Sequence, residues 1–498
     1  MPIINKFYYK FCAFSSATSG SIAVWAALTT PFVISGGALS VDISRIYNMD
    51  NELQSASDAL ARASAAELDQ RSDSLLRANR AVQSLIRNDQ KFSRNGKGQV
   101  KIDTIRYLKF LPSKDYEAIT NANVTNSPSE ARYVEVKMKP EVVNTLFPTN
   151  FVTKITNVSM SAQSVAGFDQ TICETAPVFI CNPAEDSNQS IYELMEDFSF
   201  RRRQVKFISK GGRKAQYGPG NFGYLDPFGG NSGANKITEA IAIDKTKVCY
   251  SKSAGVRLRP GAIASVRHGF NTRFDIYEGP YKKKRTDIRY APAANVVKGY
   301  AGNKVCSLKP SQDAIGMPRD TCFESENCSD ANGRMGNGNW DFIEYMRINH
   351  NYMSRITIED VTYKINYKRN KVTPAAPPSR YAMYRWEIEN NCVPGPKTYR
   401  KYSRTSEEGL PTCHASGPSK TVEDRRVIHA AVLNCGAIED SGESMAGRTD
   451  PLPVETFVKV FLTEPMGRGQ DNVLWGEIVG PVVQGNDSVS NDQIALAR

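Results

Sequence analysis

Ten cysteines and four histidines are the residues of this 498-residue chain that could hold a metal or carry redox chemistry. The cysteines are Cys12, Cys173, Cys181, Cys249, Cys306, Cys322, Cys328, Cys392, Cys413 and Cys435. None is spaced Cys-x-x-Cys, which argues against a thioredoxin-type site and against a zinc ribbon. His268, His350, His414 and His429 are scattered, with no pair one helical turn apart as a zinc peptidase requires. His414 adjoins Cys413, but neighbouring side chains seldom reach one metal, so this stretch reads as a loop. No Gly-x-Ser-x-Gly elbow offers a nucleophile; "GESMA" from Gly442 is the nearest approach. "GPGNFG", Gly218 to Gly223, matches a dinucleotide-binding fingerprint by letter. That fingerprint works only where a strand precedes it and a helix follows, so that the helix N-terminus meets the pyrophosphate. Here Pro227, Gly229 and Gly230 stand where the helix should begin, which predicts a turn-rich loop. No catalytic residue, cofactor site or metal site emerges, and a non-enzyme is expected.

Something else must therefore carry function. The length predicts two to four folded units, and 40% hydrophobic with 23% charged residues is ordinary globular composition. A formal net charge of +11 favours anionic partners, such as lipid headgroups, cell-wall polymer or nucleic acid. The basic clusters Arg201-Arg202-Arg203 and Lys282-Lys283-Lys284-Arg285 read as solvated faces, and no specific nucleic-acid site is expected.

The strongest feature lies near the N-terminus. From Phe11 to Val41 there is no Asp, Glu, Lys or Arg, and Ile22 to Val41 is a run of twenty residues. As a helix it measures about 30 Å, enough to cross a bilayer core. Its anchoring side chains are Ile22, Trp25, Leu28, Pro31, Phe32, Ile34, Leu39 and Val41. Pro31 and Gly36-Gly37 are tolerable in a membrane helix. Lys6 and Lys10 before the run, with Asp42 after it, predict a cytoplasmic N-terminus and an exported remainder. "SGGALSVD" is a poor cleavage site, so a retained anchor is expected rather than a signal peptide. Beyond it, Ile46, Leu53 and Leu60 recur every seven residues, with Met49, Ala56 and Ala63 between them. This predicts an amphipathic helix from about Val41 towards Arg87, continuous with the membrane helix. Its stripe needs a partner, either this chain's own globular part or another membrane-anchored helix. Gly36 and Ser40 would allow close helix packing in the bilayer.

Downstream, "YVEVKM", "DVTYKINYK" and "YRWEI" alternate with period two and predict strands. "VIHAAVL" suits a buried strand, and "DFIEYMRINHNYM" a helix with Phe342, Tyr345 and Met346 on one face. "RHGFNTRFDIY", Arg267 to Tyr277, also alternates and predicts a core strand. "RNKVTPAAPPSR" is a proline-rich break, and the tail after Pro481 has little pattern. The expected segmentation is 1–20 cytoplasmic, 21–41 transmembrane, 42–90 juxtamembrane helix, 91–170 β-rich, 171–370 α+β with Gly and Cys, and 371–498 C-terminal α+β with a flexible tail. Nine cysteines would be exported, and disulfides are expected rather than metal. Cys173 and Cys181, like Cys322 and Cys328, are close enough to bridge local loops, though spacing does not fix connectivity. An odd number leaves one thiol free or pairing between chains.

The N-terminal segment resembles TadG-like proteins, minor pseudopilin-like components of the bacterial Flp (tight-adherence) pilus machinery. The residues are Gly20-Ser21-Ile22-Ala23, Pro31, "GGALSVDISR", "LQSASDALARASA", and the pattern Val41-Asp42-x-x-Arg45 followed by Gln54, Ala56, Asp58 and Ala59. Prepilin-type substrates usually carry Glu five residues after the cleavage glycine; this chain has Trp25, which suits an uncleaved anchor. "FICNPAED", "GPGNFGYLD", "RHGFNTRFD", "GNGNWDFIEY", "RRVIHAAVLNC" and "VFLTEP" resemble blocks of the same family, in order from Cys181 to Pro465. The resemblance implies an α+β body in the periplasm and a bacterial inner-membrane anchor. It also implies partners among the other pilus-assembly proteins, with an oligomer through the juxtamembrane helix as one arrangement, and it brings no catalytic residues. Some such proteins carry a von Willebrand A core with a D-x-S-x-S metal site; "EDSGESM" has Gly442 in place of the central Ser, which removes a hydroxyl ligand. The competing expectation is a membrane-tethered adhesin binding an anionic polymer through its basic surface.

Overall fold

In the computed structural model the apolar run is the first half of one uninterrupted helix, α1, Ser21–Ala65. The structure describes residues 21–69, 71–85, 89–90, 98–99, 101–112, 117–128, 130–145, 157–186, 191–209, 216–226, 233–243, 245–259, 265–294, 298–301, 309–310, 314–390, 413–415, 425–442, 445, 451–467, 473–483, 490 and 493–497. Two units are distinguished: residues 1–168 with 494–498, and residues 169–493.

In the first unit the helix expected to reach Arg87 stops at Ala65 and resumes as α2, Ser74–Leu85. Charge explains the break. Glu67, Asp69 and Asp73 interrupt the apolar pattern, and all three pair with Arg77 across the turn. The second half of α1 lies on a sheet of β1 (Ile102–Leu108), β2 (Tyr133–Met138) and β3 (Gln163–Asp169), antiparallel with β2 in the middle. Beyond β2 the hairpin continues as Glu141–Asn144 paired with Asn157–Met160. The patternless tail supplies a fourth strand, Gln493–Leu496, on the free edge of β3. The core joins Met49, Leu53 and Leu60 of α1 to Ala78 and Val82 of α2 and to Val134, Val136 and Met138 of β2.

The second unit is built on β4 (Val178–Cys181), β5 (Gln204–Ser209), β6 (Asn221–Leu225), β7 (Val427–Leu433), β8 (Thr456–Leu462) and β9 (Val473–Pro481). They follow the order β5-β9-β8-β7-β4-β6, and a further β5–β6 pairing closes them into a ring. Only β4–β7 and β5–β6 are parallel among these ladders. The strands are apolar on both faces because both are covered. Val178, Ile180, Ile428, Ala430, Val432, Val458 and Val460 meet Ile237 and Ile241 of α3 (Ala234–Ala242) and Phe270 of α4 (Val266–Thr272). Phe179, Cys181, Ala431, Leu433 and Phe457 belong to a second cluster with Val248, Leu258 and Leu452. Strands β7, β8 and β9, from the C-terminal region, supply half of the ring. The sheet is mainly antiparallel, and a von Willebrand A-like core is not confirmed.

Two predicted strands are helices. Phe270, Phe274 and Ile276 are buried as expected, but Phe270 belongs to α4, because Asn271, Thr272 and Arg273 spend their polar groups on the main-chain oxygens of Met466, Ala242 and Ile241. "YRWEI" lies in α6, Arg380–Glu389, which follows α5, Phe342–Asn349. Ser379 caps α6 by accepting from Ala382 N. The carboxylate of Glu477, from β9, accepts the main-chain N–H of Arg380 and of Tyr381, each at 3.1 Å. Arg380 itself, fully buried, bonds Glu477 and Asp320 at 2.7 Å each. A carboxylate at the helix N-terminus outweighed a weak period-two signal. Arg380→Ala would leave two buried carboxylates without their cation, at a cost of about 3–5 kcal/mol. Thermal unfolding of the variant checks this.

Candidate membrane anchor and polar sites

A 45-residue helix is about 68 Å long, more than twice a bilayer core. Its two halves differ in what surrounds them. Ile22, Trp25, Leu28, Phe32, Ile34, Leu39 and Val41 are exposed, Phe32 at 79%, and Pro31 lies among them without ending the helix. Both threonines in this half bond within the helix: Thr29 donates to Trp25 O at 2.8 Å and Thr30 to Ala26 O at 2.6 Å. This is one helix long and apolar enough to span a membrane.

From Asp42 onward one face of α1 is covered. Leu53 is 1% exposed and Leu60 3%, with Ile46 half-buried beside them. The expected interaction stripe is therefore filled by this chain's own sheet, and it does not remain open to a second helix. The reason lies in polar contacts that the apolar periodicity did not reveal. Ser57 donates to Val136 O at 3.1 Å, Gln54 to Ser164 Oγ at 3.0 Å, and Ser164 to Asp58. Arg45 pairs with Asp42 at 3.6 Å and donates to Asn144 O at 3.1 Å. Gln54, Ser57 and Asp58 at i, i+3 and i+4 form a polar seam beside the stripe, and that spacing was the signal available in the sequence.

The candidate cysteines are all in disulfides, but not as sequence proximity suggested. Cys322 bridges Cys328, whereas Cys173 bridges Cys249 and Cys181 bridges Cys435. The last joins neighbouring parallel strands at their ends, where Leu433 pairs with Cys181. Cys413 is disulfide-bonded as well. Cys12, Cys306 and Cys392 lie outside the described residues.

Beside the Cys181–Cys435 bridge, Glu185 accepts the main-chain N–H groups of Cys435 and Gly436 at 2.8 and 3.3 Å, at the start of α7, Cys435–Asp440. Burial pushes Glu185 up to about 7, opposed by those two N–H groups. Burial also raises Glu455, which accepts from Asn182 Nδ2 at 3.0 Å. "EDSGESM" begins at the far end of α7, where Glu439 accepts from Tyr217 N and Ser441 donates back to Ile438 O. Glu443 and Ser444 of this stretch lie outside the described residues, and no metal-binding cluster occurs among the described ones. "GPGNFG" leads directly into β6, with Asn221 Oδ1 taking the N–H of Gly218. A strand in place of a helix leaves no N-terminus for a pyrophosphate.

The architecture is thus one long helix, apolar enough over its first half to span a membrane, continuing into a β-rich body. Residues 20–67 match the family model described as putative Flp pilus-assembly TadE/G-like, which supports a TadG-like protein. The match covers the bare and docked halves of α1 and ends before the sheet, so it does not reach the blocks from Cys181 to Pro465. No curated protein and no solved structure matches the chain.

Glu185 gives a pH test. Its folded-state value lies above the usual 4.5, so the native state holds the proton more tightly than the unfolded chain between those values. Stability contributed here is present at mildly acid pH and is lost as pH rises through about 7. Glu185→Gln keeps an oxygen for both N–H groups and removes the titration. The variant should gain on the native chain between pH 5 and 8 in chemical denaturation; parallel curves would refute the assignment.

Proposed function

We propose that the protein is a non-enzymatic, membrane-anchored component of Flp pilus assembly or anchoring. Its N-terminus is cytoplasmic, the apolar half of α1 crosses the bacterial inner membrane uncleaved, and the body works in the periplasm. The observation that carries this reading is the coincidence of the TadE/G-like match with the long helix α1, bare over its apolar half and built into the body over the rest. Disulfides in the body suit an oxidising compartment. Partners are the other pilus-assembly proteins, met through the body, since the Leu53/Leu60 stripe is already occupied.

The test is surface pilin recovered from cells lacking the protein, then given back either the full chain or residues 42–498 behind a cleavable export signal. Pilin should disappear in the deletion and return only with the anchored chain. Unchanged pilin in the deletion would remove this reading.

A second reading, an anionic-polymer module, draws on one site. Arg201 and Arg202 each meet the ring of Phe198 at 6.0 Å, and Phe198 is exposed. Among the described residues neither guanidinium makes an ion pair, whereas the neighbouring Arg203 pairs with Asp330. Polymer bound there should dissociate steeply with added salt, and Arg201→Ala with Arg202→Ala should flatten that dependence.

A further inference from the structure

We propose that the last described pair of the β2–β3 hairpin, Asn144 and Asn157, rests in the lipid headgroup layer beside α1, so that the first unit sits directly on the bilayer. This rests on the reading of α1 as the membrane anchor and adds a second surface, with phospholipid headgroups as its partner.

Three contacts fix the direction of the hairpin along α1. Val136 O meets Ser57, Ser164 meets Gln54, and Asn144 O meets Arg45. From Ser57 to Arg45 is twelve residues, or about 18 Å of helix. From Val136 to Asn144 is eight residues, about 26 Å of extended chain. The outgoing strand therefore runs down the helix towards its apolar half, and the return strand from Asn157 runs back up, with Asn144 opposite Asn157 in register. The lowest contact leaves little room for a stalk. Arg45 stands four residues above Val41, about 6 Å along the axis. The headgroup layer is itself about 5–7 Å thick on each side of the hydrocarbon core.

Burial continues below that contact. Asp42 is 4% and Ala38 9% exposed, while the residues around Ala38 in the apolar half are bare. Asp42 and Ala38, one turn apart on the same face, are thus the last buried positions of α1 before the bare run. At the same height, Ile43 and Tyr47 on the helix and Val142 on the hairpin are exposed. Apolar and amphipathic side chains, Tyr above all, are at home in this layer. The side chains of both Asn144 and Asn157 are exposed at the hairpin's end.

The experiment places a photo-activated benzophenone amino acid at Phe32, Asn144, Asn157 or Leu76 of the full chain, reconstituted in vesicles of phosphatidylethanolamine and phosphatidylglycerol. Leu76 is exposed on α2, whose Arg77 pairs with Glu67 at the far end of α1. Lipid adducts are read by mass spectrometry, and a native thermal transition qualifies each variant. Adducts should form at Phe32, Asn144 and Asn157 at about ten times the yield at Leu76, given the distance of Leu76 from the bilayer. Adducts at Phe32 with none at Asn144 or Asn157 would overturn the proposal and leave the anchor intact. No adduct at Phe32 would overturn the anchor reading itself. Chain-to-chain cross-links at Asn144 in place of lipid would assign this surface to a second copy and overturn the proposal.

Discussion

The structure of the first unit depends on the seating of the second half of α1 on β2. The helix carries no Gly or Pro between Val41 and Ala65, so nothing in that stretch provides a hinge. Leu53 and Leu60 supply apolar burial, while Ser57, Gln54 and Asp58 fix which residue faces which, because a hydroxyl on a strand carbonyl admits one register. Whatever position the apolar half takes, the sheet must follow it as a rigid continuation. The contact from Arg45 to Asn144 extends the same seating to the end of the hairpin.

The second unit is held by long-range closure instead. Its ring joins strands from residues 178–225 to strands from residues 427–481, and the Cys181–Cys435 bridge spans 254 residues of sequence. The buried Arg380–Glu477–Asp320 network ties α6 to β9 in the same way. Polar burial here organises the packing: Arg426, enclosed by Phe274, Tyr384 and Phe461, directs its donors to the carbonyls of Leu462 and Thr463. Such groups are satisfied within the fold and offer nothing outward.

Local periodicity made part of this legible. The charge-free run, the strands at Tyr133–Met138 and Val361–Asn366, the buried strand at Val427–Leu433 and the helix at Phe342–Asn349 all follow from spacing alone. What failed was decided by distant partners. Tyr384, Trp386 and Ile388 alternate, yet Glu477, almost a hundred residues on, caps the backbone as a helix. Cys173 and Cys181 are neighbours in sequence, yet each is drawn to a strand partner supplied elsewhere, Cys249 opposite Cys173 in one ladder and Cys435 just beyond β7 in the other. The polar seam on α1 shows in the sequence only as a spacing, because Gln, Ser and Asp on a helix are usually solvated.

The placement of Gln493–Leu496 beside β3 has a consequence for how the molecule is made. Residues 169–493 leave the first unit from one strand and return to it on the strand next door, and within the second unit Ile172 is bridged to Ser490 across the same gap. A chain emerging from the ribosome delivers α1 before the second unit and this edge strand only after it. Until then β3 presents an open edge, the kind of surface that recruits chaperones and stray strands. The sheet of the first unit is consequently sealed only after the second unit has been synthesised.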